Sequence, residues 1–237
     1  MRQPRHWPLR ACHAAPRHVH SGAMKKLDIV RRLIDPGVIA ILRADSAEKL
    51  PDAIQALVAG GIHAIEVTMT TPGALKLIAK VRATLGDKIV MGVGSVLDSE
   101  TARQAMLEGA QFVITPVVRP SVIEICHRYG VPIATGATTP TEALTAHELG
   151  SDFVKIFPAD HLGVAYIKSI LAPLPMLQII PTGGVTPQNI TDYLAAGCAA
   201  VGAGSTLLTR EILESSNWTN LSARAAEFVV NAWKARA

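Results

Sequence analysis

Phe153-Val154-Lys155-Ile156-Phe157-Pro158-Ala159-Asp160 is an apolar, β-branched run interrupted by one lysine and closed by a proline. Runs of this kind form strands buried on both faces of a parallel sheet, and Pro158 marks the end. Strand side chains alternate, so Lys155 shares a face with Phe153 and Phe157 and points into the core that this face covers. Desolvation there disfavours an ammonium and leaves a neutral amine able to attack a carbonyl and form a Schiff base. The competing reading is a lysine at a strand end with a buried stem and a head in water. The surrounding sequence decides between the two.

Outward from this run, strand-like and helical segments alternate. The strand-like runs are Val38 to Arg43, Ile62 to Met69, Ile89 to Val96, Phe112 to Val117, Val131 to Thr138, Phe153 to Pro158, Gln178 to Thr182 and Ala199 to Gly204. Segments of 3.6 periodicity come after them, such as Ala47 to Val58, Ala74 to Leu85, Glu100 to Leu107 and Thr141 to Leu149. Ser46, Asp98, Thr139-Pro140 and Thr186-Pro187 read as helix starts. Lys26 to Ile34 reads as a short amphipathic helix, a plug or lid for the strands and helices after it. Alternation of this kind predicts a parallel sheet with helices outside it.

Gly61, Gly109, Gly150 and Gly197 each precede an even-numbered strand, at intervals of 48, 41 and 47 residues. They fit helix ends with φ > 0, and their recurrence predicts a stack of equivalent units: a (β/α)8 TIM barrel preceded by a short helix. An open doubly wound sheet is the alternative, and it does not predict eight evenly spaced units.

Composition agrees. A chain of 237 residues suits one barrel, and 49% hydrophobic residues with only 4% aromatics give an aliphatic core. No run approaches the ~20 apolar residues of a membrane span. The net charge of +4 comes from Arg2, Arg5, Arg10 and Arg17, so from Met24 onward 19 basic residues face 19 acidic ones. That balance leaves no electrostatic footprint for nucleic acid. Residues 1–23 lack the apolar segment of a secretory signal; they are Arg-rich and acid-free like a transit peptide, yet poor in serine and broken by prolines. They read as a disordered or mis-assigned leader, with Met24 the true start of a single domain over residues 24–237. Cys12, Cys126 and Cys198 show no paired or metal-ligand spacing and read as reduced thiols of a cytoplasmic protein.

Barrel chemistry sits at the C-terminal ends of strands. There this chain places Arg43, Glu66, Ser95, Pro116, Lys155, Thr182-Gly183-Gly184 and Gly204-Ser205. Glu66 comes after Ile62 and Ala64 on one face, so it points inward, where burial raises its pKa toward that of a general base. An inward Glu facing an inward Lys is also compatible with a structural ion pair. The glycine turns after strands seven and eight are where barrel phosphate sites occur, since backbone N–H groups reach an anion there without a Cβ in the way. Two ordinary tight turns are the simpler alternative.

These residues resemble the class I aldolases that cleave 2-keto-3-deoxy-6-phosphogluconate, its galactonate epimer and 4-hydroxy-2-oxoglutarate. The likeness spans Met24 to about Leu208 and rests on Glu66-Val-Thr, Gly92-Val-Gly-Ser-Val-Leu, Ile114-Thr-Pro, Gly136-Ala-Thr-Thr-Pro-Thr-Glu, Lys155-Ile-Phe-Pro-Ala, Pro181-Thr-Gly-Gly and Gly204-Ser205, in order. The resemblance implies that Lys155 forms the Schiff base and Glu66 moves protons, partly through water. It also implies that Ser95 binds the pyruvyl carboxylate, with Pro116 at the substrate, while Thr182, Gly183, Gly184, Gly204 and Ser205 hold the phosphate. No metal or other cofactor is implied, and a homo-trimer is.

One departure stands out. Gluconate-type members read Glu-Val-Thr-Leu-Arg-Thr where this chain has Glu66-Val67-Thr68-Met69-Thr70-Thr71, so Thr70 replaces an arginine that binds the substrate carboxylate. Galactonate-type members also lack it and share the first-strand ending Ile39-Ala40-Ile41-Leu42-Arg43. An arginine there can reach the same carboxylate from the neighbouring strand. Two other classes fit part of the pattern: a phosphosugar isomerase or epimerase, and a non-catalytic barrel that binds a phosphorylated metabolite. Neither gives a lysine in mid-strand a task.

Overall fold

The computed structural model describes residues 24–236; the leader, its arginines and Cys12 lie outside the described residues. Eight strands alternate with helices along the chain. The helix α1 (Lys26–Ile34) precedes β1 (Val38–Leu42), α2 (Leu50–Ala59), β2 (Ala64–Thr68), α3 (Ala74–Leu85), β3 (Val90–Gly94) and α4 (Ser99–Leu107). Then come β4 (Phe112–Thr115), α5 (Pro120–Arg128), β5 (Ile133–Ala137), α6 (Pro140–Glu148), β6 (Phe153–Ile156) and α7 (Ala159–Leu171). The chain ends with β7 (Ile179–Pro181), α8 (Ile190–Ala195), β8 (Val201–Ala203), α9 (Arg210–Ser215) and α10 (Trp218–Lys234).

All strand pairs are parallel, in the order β7-β6-β5-β4-β3-β2-β1-β8. A single bridge between Thr182 and Gly202 joins the two ends, and the Ala199 N–H donates to the Ile179 carbonyl at 2.9 Å. The sheet is therefore a nearly closed (β/α)8 barrel, and Gly61, Gly109, Gly150 and Gly197 all take φ between 90° and 100° at its helix ends.

Alternation divides the apolar residues into two cores. Side chains such as Leu42, Val67, Val93 and Val154 face outward and pack against the helices. Ile39, Ala64, Val90, Phe112, Phe153 and Ile180 face the barrel axis near the N-terminal ends of the strands, where Ile29 and Leu33 of α1 pack on them. The amphipathic α1 is thus a plug for the lower end, and the Lys26–Asp152 ion pair at 2.7 Å ties it to the start of β6. Blocking that end leaves the C-terminal mouth as the way into the barrel.

Several boundaries differ from expectation. Each expected strand runs past the observed one by one or more residues, because residue pattern does not register where the ladder hydrogen bonds begin and stop. Ile62 does not share a face with Ala64: its N–H donates to the Leu57 carbonyl at the end of α2, and its side chain packs outward. Asp98 and Thr139 do cap α4 and α6, the latter with a full capping box from Glu142. Ser46 and Thr186 do not sit at the N-cap of a helix: α2 starts after Lys49 and α8 after Asn189.

Candidate active site

Lys155 lies in the middle of β6, paired in register with Gly136 and Ile180, and its side chain enters the barrel above Phe153. Residue burial is nearly complete, with 9% of its surface exposed. Beyond β6 the chain turns at Phe157, whose ring centroid is 5.6 Å from Lys155 Nζ, so the ammonium or amine lies against an aromatic wall.

Glu66 enters from β2 with no exposed surface, and neither carboxylate oxygen has a hydrogen-bond partner. Its space exists because residue 94 on the neighbouring β3 is glycine: a Cβ there would fall inside the Glu66 carboxyl group. Desolvation raises the Glu66 pKa, opposed by the nearby charges of Lys155 and Arg43. The expected rise in pKa is thus present, and a direct Glu66–Lys155 salt bridge does not form.

Both residues line a cavity of about 730 Å³ at the C-terminal mouth. Arg43, Ser95, Pro116, Thr182, Gly183, Gly184, Gly204 and Ser205 line it too. Ser95 holds φ +58°, a left-handed conformation uncommon for a residue with a Cβ. Gly183 and Gly184 take φ +98° and +65°, and a Cβ on Gly184 would collide with Asp160. Among the described residues, the N–H groups of Gly183, Gly184, Ser205 and Thr206 meet no protein acceptor, which leaves them free for an anion. Arg43 is exposed and forms no ion pair with Asp45 or Glu48.

Thr70 is the exception. It is exposed and outside the cavity, and its hydroxyl lies 2.9 Å from that of Thr68. Thr68 lines the cavity instead, because it sits two residues beyond Glu66 on the inward face of β2. The same i, i+2 rule places Phe157 beside Lys155. Away from the cavity, exposed His127 meets the Gly150 carbonyl at 2.6 Å, and half-buried His63 has a buried Nδ1 without a partner.

A parallel barrel that buries one lysine and one unpartnered carboxylate beside two turns of free backbone amides has the layout of an aldolase, a lyase that makes or breaks a carbon–carbon bond. The model of the KDPG and KHG aldolase family matches residues 29–224. A 2-dehydro-3-deoxy-phosphogluconate aldolase of Haemophilus influenzae is 31% identical over 202 residues, covering 85% of this chain and 95% of the relative. A 2-dehydro-3-deoxy-6-phosphogalactonate aldolase of Escherichia coli is 36% identical over 171 residues, covering 72% and 83%. The structure of a Legionella pneumophila KDPG aldolase, with pyruvate captured as a covalent carbinolamine, superposes with a TM-score of 0.75 at 28% identity, covering 84% of this chain and 96% of that one. The chain belongs to the KDPG and KHG aldolase family.

Proposed function

We propose that this protein is a class I aldolase that splits 2-keto-3-deoxy-6-phosphogluconate, or its galactonate epimer, into pyruvate and glyceraldehyde 3-phosphate. It also cleaves 4-hydroxy-2-oxoglutarate to pyruvate and glyoxylate. The observation that carries this reading is the pairing of buried Lys155 with buried, unpartnered Glu66 at the floor of one cavity.

The Lys155 amine adds to the C2 ketone, and loss of water from the carbinolamine gives a protonated imine. Glu66 takes the C4 hydroxyl proton, the C3–C4 bond breaks, and its electron pair moves into the imine to form an enamine. The aldehyde leaves at the phosphate end. Protonation of the enamine at C3 and hydrolysis of the imine release pyruvate and restore the amine. Arg43 and Ser95 hold the substrate carboxylate, Pro116 packs against the pyruvyl end, and Thr182 with the amides of Gly183, Gly184, Gly204 and Ser205 holds the phosphate.

Among the described residues no helix is long and apolar enough to cross a membrane. We place the enzyme in the cytoplasm, as a homo-trimer of single-domain subunits. Borohydride reduction in the presence of pyruvate tests the chemistry. Mass spectrometry is expected to find one adduct, on Lys155; labelling of another lysine, or none, refutes the reading.

A further inference from the structure

The proposed phosphate end is assembled from two turns, Gly183-Gly184-Val185 after β7 and Gly204-Ser205-Thr206 after β8. These leave the most weakly paired strands of the barrel, joined by one bridge between Thr182 and Gly202. An anion held between them would depend on their spacing, and the ladder alone fixes it poorly.

Side chains supply the missing ties. The Thr206 hydroxyl donates to the Val185 carbonyl and so joins one turn directly to the other. From outside the barrel, Arg224 of α10 donates its Nε–H to the Thr206 carbonyl. Asn189 Nδ2 donates to the Gly184 carbonyl at 3.0 Å. The C=O and N–H of a trans peptide point in opposite directions, so engaging the Gly184 carbonyl from one side turns the Val185 N–H to the other. Among the described residues, the Val185 N–H, like those of Gly183, Gly184, Ser205 and Thr206, finds no acceptor. Arg224 also has no carboxylate partner among the described residues, so its charge is directed at the turn it holds.

We infer that Thr206 and Arg224 are positioning residues that buckle the two turns into one phosphate cradle and thereby set the preference for phosphorylated over unphosphorylated keto acids. The inference rests on the aldolase reading for its substrate and on the hydrogen bonds above for its geometry. Neither residue need touch the reacting carbons. A role confined to folding would lower turnover of every substrate alike.

Kinetics on the phosphorylated six-carbon keto acid and on 4-hydroxy-2-oxoglutarate separate the two possibilities. Arg224→Met keeps the aliphatic stem and removes the donor, and Thr206→Val keeps the shape and removes the hydroxyl. Each is expected to raise KM for the phosphorylated substrate about tenfold more than KM for the unphosphorylated one, the effect of one hydrogen bond to a charged group. Thr206→Ser and Arg224→Lys are expected to recover part of that ratio. An unchanged ratio in both Arg224→Met and Thr206→Val overturns the inference. Inorganic phosphate gives a readout independent of aldol chemistry: it should raise the melting temperature of the wild type and do so less in Arg224→Met and Thr206→Val. A wild type that forms no pyruvate adduct refutes the aldolase reading alone, and the phosphate shift still decides for or against the buckle.

Discussion

The carboxyl group of Glu66 occupies the volume in which a side chain of residue 94 would begin. Both strands are buried, and Thr68 pairs in register with Gly94, so neither backbone can retreat cheaply. Gly94→Ala therefore forces Glu66 out of place. Overpacking of this kind costs roughly 1–3 kcal/mol of stability. Displacing Glu66, if it is the base proposed above, costs a further factor of about 100 or more in kcat. Parallel measurement of melting temperature and kcat checks the pair of effects; a variant as active as the wild type would show that Glu66 does not need its seat.

Replacing the carboxylate itself should separate activity from stability. Glu66 has a folded-state pKa raised above its ordinary value of 4.5 by burial, so between 4.5 and the raised value the folded state holds the proton more tightly than the unfolded one. Stability from this group is present below pH 4.5, falls as pH rises through the window, and is a net penalty above it. Glu66→Gln removes the penalty together with the carboxylate proposed as the base. The expected result is a kcat lowered by about 10²–10⁴, with a melting temperature above wild type at pH 8 and a difference that closes below pH 4.5. Equal melting temperatures at both pH values would contradict it.

The barrel is readable in the sequence because parallel strands covered on both faces appear as unbroken apolar runs, and a charged residue inside one, such as Lys155, stands out. Glu66 is readable from Ala64 by alternation alone. Thr70 is misplaced when its role is inferred from the arginine it replaces, whereas alternation along β2 puts Thr68 in the cavity. Ile62 and Ser46 are misassigned because periodicity does not register where a ladder or helix begins. The contact of Arg224 with the Thr206 carbonyl depends on how α10 packs, which no local pattern encodes.

Glu142 offers a test away from the catalytic chemistry. Its carboxylate accepts from the backbone and hydroxyl groups of Thr138 and Thr139, and these bonds hold its pKa at about 2. A depressed acid contributes stability above its ordinary value of 4.5 and loses it as pH falls toward 2. The group is nearly all exposed, so water screens much of the effect, and Glu142→Ala should cost no more than about 1 kcal/mol, or roughly 2–4 °C, at pH 7. Thermal melts at pH 7 and near pH 2 check this: the difference should shrink at the lower pH.

Arg43 carries the last prediction. The exposed guanidinium lines the cavity, is free of Asp45 and Glu48, and its charge is felt at Glu66, as the proposed contact with the substrate carboxylate requires. A charge-assisted hydrogen bond to that carboxylate contributes roughly 1.5–3 kcal/mol, about one to two decades in apparent affinity. Arg43→Ala should therefore raise KM for the keto acid by about that factor, while Lys155 remains trappable by borohydride at high pyruvate. Position 70 lies just outside the cavity, 2.9 Å by hydroxyl from Thr68, which is close enough for a long side chain to fold back in. Thr70→Arg in the Arg43→Ala background should then recover part of the lost affinity. A KM within twofold of wild type in Arg43→Ala would move the carboxylate site to Ser95, Thr68 and the backbone amides around them.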